Sequence, residues 1–267
     1  MRIIEEAIKS IDGKDYDCKG NFKKCYFVNI EGKEYALLVY KCDEERKEIN
    51  NLRINETKKL IEQGFLTAPI LDLLYDNGNA YELQERVKGN IICGKYIPLE
   101  NSEDYDSFYL SVLDSLKIIE RSSNDKLIDL MNNAAIVYSN SYPLDSHGDN
   151  YIIDSEGNIT FIDIDISTPA KKRDIKIHYC ISVLPNILST FTYYVREDSK
   201  YYKSLKELLA FISIKWVDAC NTILNNNGYS EEDIKELING IRYNYFLQSE
   251  EEKNEMLNNY FGSNKSM

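Results

Sequence analysis

The chain has 267 residues and sets 32 Lys and Arg against 44 Asp and Glu, a formal net charge of -12 at pH 7. Its 43% apolar and 28% charged residues suit one large or two modest domains with a sizeable core and exclude a wholly disordered chain. An acidic surface repels phosphate backbones, so nucleic acid is not an expected partner, although a local cationic pocket for one phosphorylated ligand remains open.

The opening residues, MRIIEEAIKS, do not follow a basic segment with a long apolar one, so no signal peptide is expected. No run approaches the ~18 apolar residues of a membrane span. The six cysteines are scattered, with no C-x-x-C pair and only two histidines in the chain. That pattern supports neither a zinc site nor a secreted disulfide framework, and a cytoplasmic location with reduced thiols is expected.

In chain order, Lys24 to Ile30 and Tyr35 to Tyr40 are β-rich apolar runs around Glu31-Gly32-Lys33 and read as a hairpin. Asp43 to Gln63 is charged, with Ile49, Leu52, Leu60 and Ile61 at roughly helical spacing and Gly64 as a stop. Ile70 to Tyr75 and Ala80 to Val87 form a second strand pair around Asp76-Asn77-Gly78. The order is therefore strand, strand, helix, strand, strand, ending near Lys88-Gly89. Beyond it, Tyr105 to Arg121 is helical, and Lys126 to Met131 begins another helix. Helical signal returns over about 175–194, 202–225 and 231–247, and the polar tail from Gln248 is expected to fray. The predicted picture is a β-rich unit over 1–88 and an α-rich unit over 89–267.

The most informative segment is Asp145 to Ile166. Two short apolar runs, Tyr151 to Ile153 and Ile159 to Ile162, are joined by Asp154-Ser155-Glu156-Gly157-Asn158. Asp145, His147, Asp149 and Asn150 precede this hairpin, and Asp163 and Asp165 follow it. A hairpin brings its two ends together, so these oxygens converge. Clustered carboxylates repel unless a positive charge sits among them. Hard oxygen donors without thiolate suit Mg²⁺ shared with substrate phosphates.

In these residues the chain resembles the protein-kinase-like superfamily, above all its aminoglycoside- and choline-phosphotransferase branch. Asp145-Ser146-His147-Gly148-Asp149-Asn150 is similar to the D-L-H-P-G-N loop of those small-molecule kinases. Asp145 and Asn150 are five residues apart, and Asp163 lies eighteen beyond Asp145, as the family's pattern has it. Ile162-Asp163-Ile164-Asp165 stands where the family carries its second metal-binding Asp. A competing register takes His147-Gly148-Asp149 as the loop and Asp149 as the base, but then the spacing to Asp163 is fourteen and Asp154 replaces the amide. Asp145 is the preferred base, although Pro143 then stands where the family has a bracing His.

The rest of the chain carries the resemblance with departures. Tyr81 to Gly89 resembles the strand and hinge joining the two kinase lobes, which implies adenine bonding by backbone groups at Glu85, Arg86 and Val87. The expected phosphate loop, Cys18 to Lys24, has one glycine, and Leu38 stands where the phosphate-binding lysine belongs. Gly20-Asn21-Phe22-Lys23 is similar to the loop of the with-no-lysine kinases, which implies Lys23 as the phosphate clamp and Glu48 as its partner. Lys41 is the other candidate cation. Lys171 to Arg173 could steer an anionic substrate, and Asp174 resembles a helix-opening Asp of the small-molecule kinases. His178, Trp216, Tyr201 and Tyr202 read as packing residues.

The resemblance implies an α+β, two-lobed kinase-like fold, with a small antiparallel sheet lobe and a larger helical lobe. ATP and Mg²⁺ are the implied cofactors, with γ-phosphoryl transfer to a hydroxyl acceptor. A small molecule is favoured over a protein because the segment after Asp165 is short. Asp145 is the implied base, Asn150 and Asp163 the metal ligands, and Asp165 or Asp149 the candidate for a second metal. Leu38, Pro143 and the glycine-poor loop keep open a catalytically inactive nucleotide- or partner-binding module. Nucleotidyl transfer uses the same metals and stays open as well.

Overall fold

Hydrophobic alternation and two glycine turns build the first sheet. The computed structural model describes residues 2–19, 23–92, 102–140, 142, 144, 148–163 and 177–263. Helix α1 (Ile3–Ser10) leads into β1 (Cys18–Lys19), β2 (Lys24–Ile30) and β3 (Lys33–Lys41). Helix α2 (Glu44–Glu62) precedes β4 (Ile70–Asp76) and β5 (Asn79–Glu85). These strands form one antiparallel sheet in the order β1-β2-β3-β5-β4. Glu31 and Gly32 both have positive φ, as do Asn77 and Gly78. Two such residues are what a two-residue hairpin turn of type I′ requires, so the composition of each turn fixes the register of its strand pair.

The two faces of this sheet differ. On one, Ile4 and Ala7 of α1 pack on Val28, Ile30, Tyr35, Leu37 and Leu83. The sequence periodicity did not show α1, whose inward-facing pair is only two residues. On the other face, Tyr40, Cys42 and Ala80 form a smaller apolar cluster with Leu38, Leu73 and Tyr75, and α2 lies beside it. Asp43 caps α2 by accepting from the Arg46 amide at 2.9 Å.

The apolar spacing in α2 misled in one respect. Leu60 is buried as expected, but Leu52 is 48% exposed. The buried stripe is Asn50, Arg53, Thr57 and Leu60, which has helical spacing but mostly polar members. Arg53 turns inward because the sheet face beneath it carries a buried carboxylate.

After β5 the chain forms β6 (Asn90–Ile91), α3 (Ser102–Arg121) and α4 (Asn124–Ser139). A 3₁₀ turn at Gly148–Asn150 opens β7 (Tyr151–Ile153), which pairs with β8 (Ile159–Phe161) on one side and β6 on the other. Helices α5 (Ile177–Ile181), α6 (Val183–Thr192), α7 (Tyr202–Asn226), α8 (Glu231–Asn239) and α9 (Glu250–Ser263) complete the described chain. Their large core centres on Trp216, Phe191, Leu209 and Phe246 and extends to Leu60 and Phe65. Trp216 is a packing residue, its indole N–H donating to the Ile181 carbonyl at 2.8 Å. The tail expected to fray is instead α9. The Glu252 amide donates to Ser249 Oγ at 3.1 Å, and Leu257 and Phe261 are buried, an anchorage that its high charge hides in the sequence.

The protein is thus mixed α and β, with a small antiparallel sheet and a larger helical part. Among the described residues, no helix is long and apolar enough to cross a membrane.

Candidate functional site

The β7-β8 hairpin forms where the sequence places it, and its turn is held by one side chain. Asp154 Oδ1 accepts from the Glu156 and Asn158 amides, each at 2.9 Å, and Oδ2 accepts from the Asn158 side chain at 2.7 Å. Burial would push the Asp154 carboxyl upward, but these donors hold it below the usual range. At the end of the strands away from the turn, the Tyr151 and Phe161 rings meet at a tilt of 59° with centroids 4.7 Å apart, and the Phe65 ring lies 4.9 Å from that of Phe161.

The segment that follows α2 docks on β8. The Phe161 amide donates to the Leu66 carbonyl at 3.2 Å, and the Ala68 amide donates to the Phe161 carbonyl at 3.3 Å. The Thr67 hydroxyl adds a 2.7 Å bond to that carbonyl. On the other flank, Gly89 has φ +144°, and a Cβ there would lie 2.2 Å from the Ile153 carbonyl oxygen. A residue with a side chain does not fit at this crossing. The hairpin is therefore fastened to the sheet-bearing part on both sides.

At the root of the hairpin the Ile162 amide donates to the Asn150 carbonyl at 2.9 Å. Asn150 and Asp163 thus lie at the two ends of one turn of chain. Lys23, just before β2, reaches across to Asp163. Its ammonium donates to Oδ1 at 2.9 Å and to Oδ2 at 3.1 Å, with 27% of the Lys23 side chain and 45% of that of Asp163 exposed. Two residues separated by 140 positions, each singled out in the sequence, meet in this pair.

Beside Lys23 lies a group the sequence reading missed. The ammonium stands over the Tyr40 ring, 5.6 Å from its centroid. The Tyr40 hydroxyl donates to Glu82 Oε2 at 3.0 Å. Glu82 is wholly buried, pairs with Arg53, and also accepts from the Gln84 amide through Oε1. Burial pushes Glu82 upward, but the charges of Arg53 and then Lys23 outweigh it and hold the carboxyl below its ordinary value. Burial and the Glu82 charge push the Tyr40 phenol well above its ordinary value, which keeps its proton in place. One signal was available in the sequence: Glu82 interrupts the apolar alternation of β5 and lies across from Leu38 in the register.

The remaining candidates divide. Glu48 is exposed on α2, and the carboxylate bonded to Lys23 is that of Asp163. Leu38 belongs to the apolar cluster around Tyr40 and Ala80, and Lys41 is exposed at the end of β3. Glu85 closes β5, where its amide donates to the Pro69 carbonyl at 3.2 Å and its carboxylate accepts from Lys33 at 2.9 Å. Arg86 stacks over the Phe27 ring at 4.1 Å and donates to Glu34 at 2.7 Å. Val87 follows outside the strand. Asp145, Asp165, Pro143, His147, Lys171 to Arg173 and Asp174 lie outside the described residues. Asp149 sits in the 3₁₀ turn that precedes β7.

Among the described residues, no three His, Cys, Asp or Glu side chains gather as a metal cluster. Two residues at the hairpin root carry oxygen donors of the hard type. Asn150 and Asp163 offer an amide and a carboxylate oxygen, and Asp163 already holds a cation in the form of the Lys23 ammonium. Mg²⁺ commonly takes one or two carboxylates and fills its remaining positions with phosphate and water.

No protein-family model matches the chain, and no curated protein matches it significantly.

Proposed function

We propose that this protein is a Mg²⁺-dependent ATP phosphotransferase of the kinase-like kind, acting on a hydroxyl of a small molecule. The sheet with α2 and the helical part are then its two lobes, meeting near Lys88, with the base of ATP beside Glu85 to Val87. One observation carries this reading: Lys23 and Asp163 meet. The resemblance implies a phosphate-binding cation and a metal-binding carboxylate at these two positions, and the fold brings both to the root of the hairpin.

Phosphoryl transfer asks a protein mainly for alignment and charge neutralisation. In this reading Lys23 faces phosphate oxygens, and Asn150 with Asp163 holds the metal. A divalent cation there supplies charge neutralisation across the phosphates. Asp145 accepts the proton of the acceptor hydroxyl. Asp163→Asn removes the carboxylate charge while keeping its shape. Its expected effect is loss of Mg²⁺-dependent ATP consumption by roughly a hundred-fold or more, measured with a panel of small alcohols and amino sugars. Unchanged turnover in that variant removes Asp163 from the mechanism.

A second reading is favoured by Leu38, which packs within an apolar cluster where an active kinase of this kind carries a cation. It makes the chain a nucleotide- or partner-binding module without turnover. Calorimetric titration with Mg-ATP beside the turnover assay separates the two: binding with no consumption across the acceptor panel supports the module.

A further inference from the structure

Lys23 approaches its ligands from a chain segment outside the regular strands, and such a lysine needs support to keep its ammonium in one place. The resemblance implies Glu48 as that support, but Glu48 is exposed and the carboxylate bonded to Lys23 is that of Asp163. The structure offers another device. Under the ammonium lies the Tyr40 ring, 5.6 Å away, and an aromatic face attracts a cation. The side chain is held against swinging away, because its hydroxyl donates to Glu82 at 3.0 Å and accepts from Arg53 at 3.4 Å. Glu82 is itself fixed by Arg53 and Gln84. The expected polarity is reversed: the carboxylate comes from strand β5 and the cation from helix α2.

We propose that Tyr40, pinned by the buried Glu82–Arg53 pair, is the positioning residue for Lys23. This rests on the nucleotide site proposed above and deepens it. Lys23 can exchange the Asp163 carboxylate for a phosphate oxygen while the ring beneath it stays where it is. The charge of Lys23 helps to hold Glu82 below its ordinary value, and the same attraction draws the ammonium toward the Tyr40 ring during that exchange. Tyr40 touches no reacting atom in this scheme and acts only through Lys23.

The test reads Lys23 in the ligand-free protein. An amine-acylating reagent is applied at fixed pH, and the modification rate of each lysine is followed by peptide mass spectrometry. Removing the ring in Tyr40→Leu should speed modification of Lys23 by about five-fold relative to the other lysines, whereas Tyr40→Phe, which keeps the ring but loses the hydroxyl that pins it, should speed it by about two- to three-fold. The double variant Arg53→Met with Glu82→Leu keeps the ring but frees its hydroxyl, and should raise the Lys23 rate by about two- to three-fold. Unchanged Lys23 rates in Tyr40→Leu overturn the proposal. If that variant fails to fold by circular dichroism, unchanged rates in both the Phe and the double variant overturn it instead. In the same proteins the Mg-ATP dissociation constant should rise about five-fold in Tyr40→Leu. Absence of measurable nucleotide binding by the unmutated protein removes the nucleotide reading, while the modification rates still decide the role of Tyr40.

Discussion

The sheet of β1 to β5 is covered on one face by α1 and on the other by α2, and the two covers work by different physics. Under α1, Ile4 and Ala7 meet Val28, Tyr35, Leu37 and Leu83, an apolar contact that gains by removing surface from water. Under α2, Arg53 meets Glu82, with Tyr40 and Gln84 completing the carboxylate's hydrogen bonds. A buried ion pair gains little over a well-packed apolar pair, because both charges lose their hydration. Its presence on the α2 face is thus weak evidence of stabilisation, and that face is the one beside Lys23, whose ammonium stands over the Tyr40 ring.

The sharpest way to break this comparison is to remove one charge. Glu82→Leu leaves Arg53 buried without its partner and should lower the unfolding free energy by about 3–5 kcal/mol. Adding Arg53→Met to it should restore most of that loss, and urea denaturation of both variants checks the pair. A single-variant loss below about 1 kcal/mol would mean that water reaches the pair and that a buried charge is not what sets the α2 face apart. On the α1 face, Leu37→Ala should lower the unfolding free energy by about 2–5 kcal/mol through cavity formation, with no second substitution that cancels it.

Acid sharpens the same contrast. The Glu82 carboxyl is held below its ordinary value in the folded protein. On acidification the unfolded chain takes up this proton first, so the stability that Glu82 contributes is complete above the ordinary carboxylate range and is lost as pH falls through its lowered value. Melting temperatures followed from neutral pH downward should fall less steeply in the Arg53→Met, Glu82→Leu double variant than in the unmutated protein. The smallest effect belongs to the exposed pair. Lys23→Met should change the unfolding free energy by no more than about 1 kcal/mol, since Asp163 stays in contact with water. A larger loss would make that pair structural.

Much of the fold was legible because its signals are local. The β2-β3 and β4-β5 hairpins follow from apolar runs on either side of Glu31-Gly32 and Asn77-Gly78, and the β7-β8 hairpin from runs on either side of Asp154 to Asn158. Helix α2 was legible in extent but not in facing, since its inner stripe uses Asn50, Arg53 and Thr57, residues that ordinarily mark the solvent side. Helices α1 and α9 escaped notice for a related reason: each is anchored by two or three apolar residues in a charged setting. At the site, Lys23 and Asp163 could be chosen from motif spacing. Tyr40, Glu82 and Arg53 could not, because their meaning depends on a strand register and a helix rotation that no short motif encodes.

The crossing at Gly89 has a mechanical corollary. The connection out of β5 passes within side-chain distance of the β7 backbone, and the segment after α2 is stitched to β8 at Phe161 on the opposite flank. The hairpin is thus yoked to the sheet at two points and cannot pivot as a separate flap. Asp163, two residues past Phe161, therefore follows a strand end that is bonded to the segment after α2 and packed, through Tyr151 and Phe161, into the helical core.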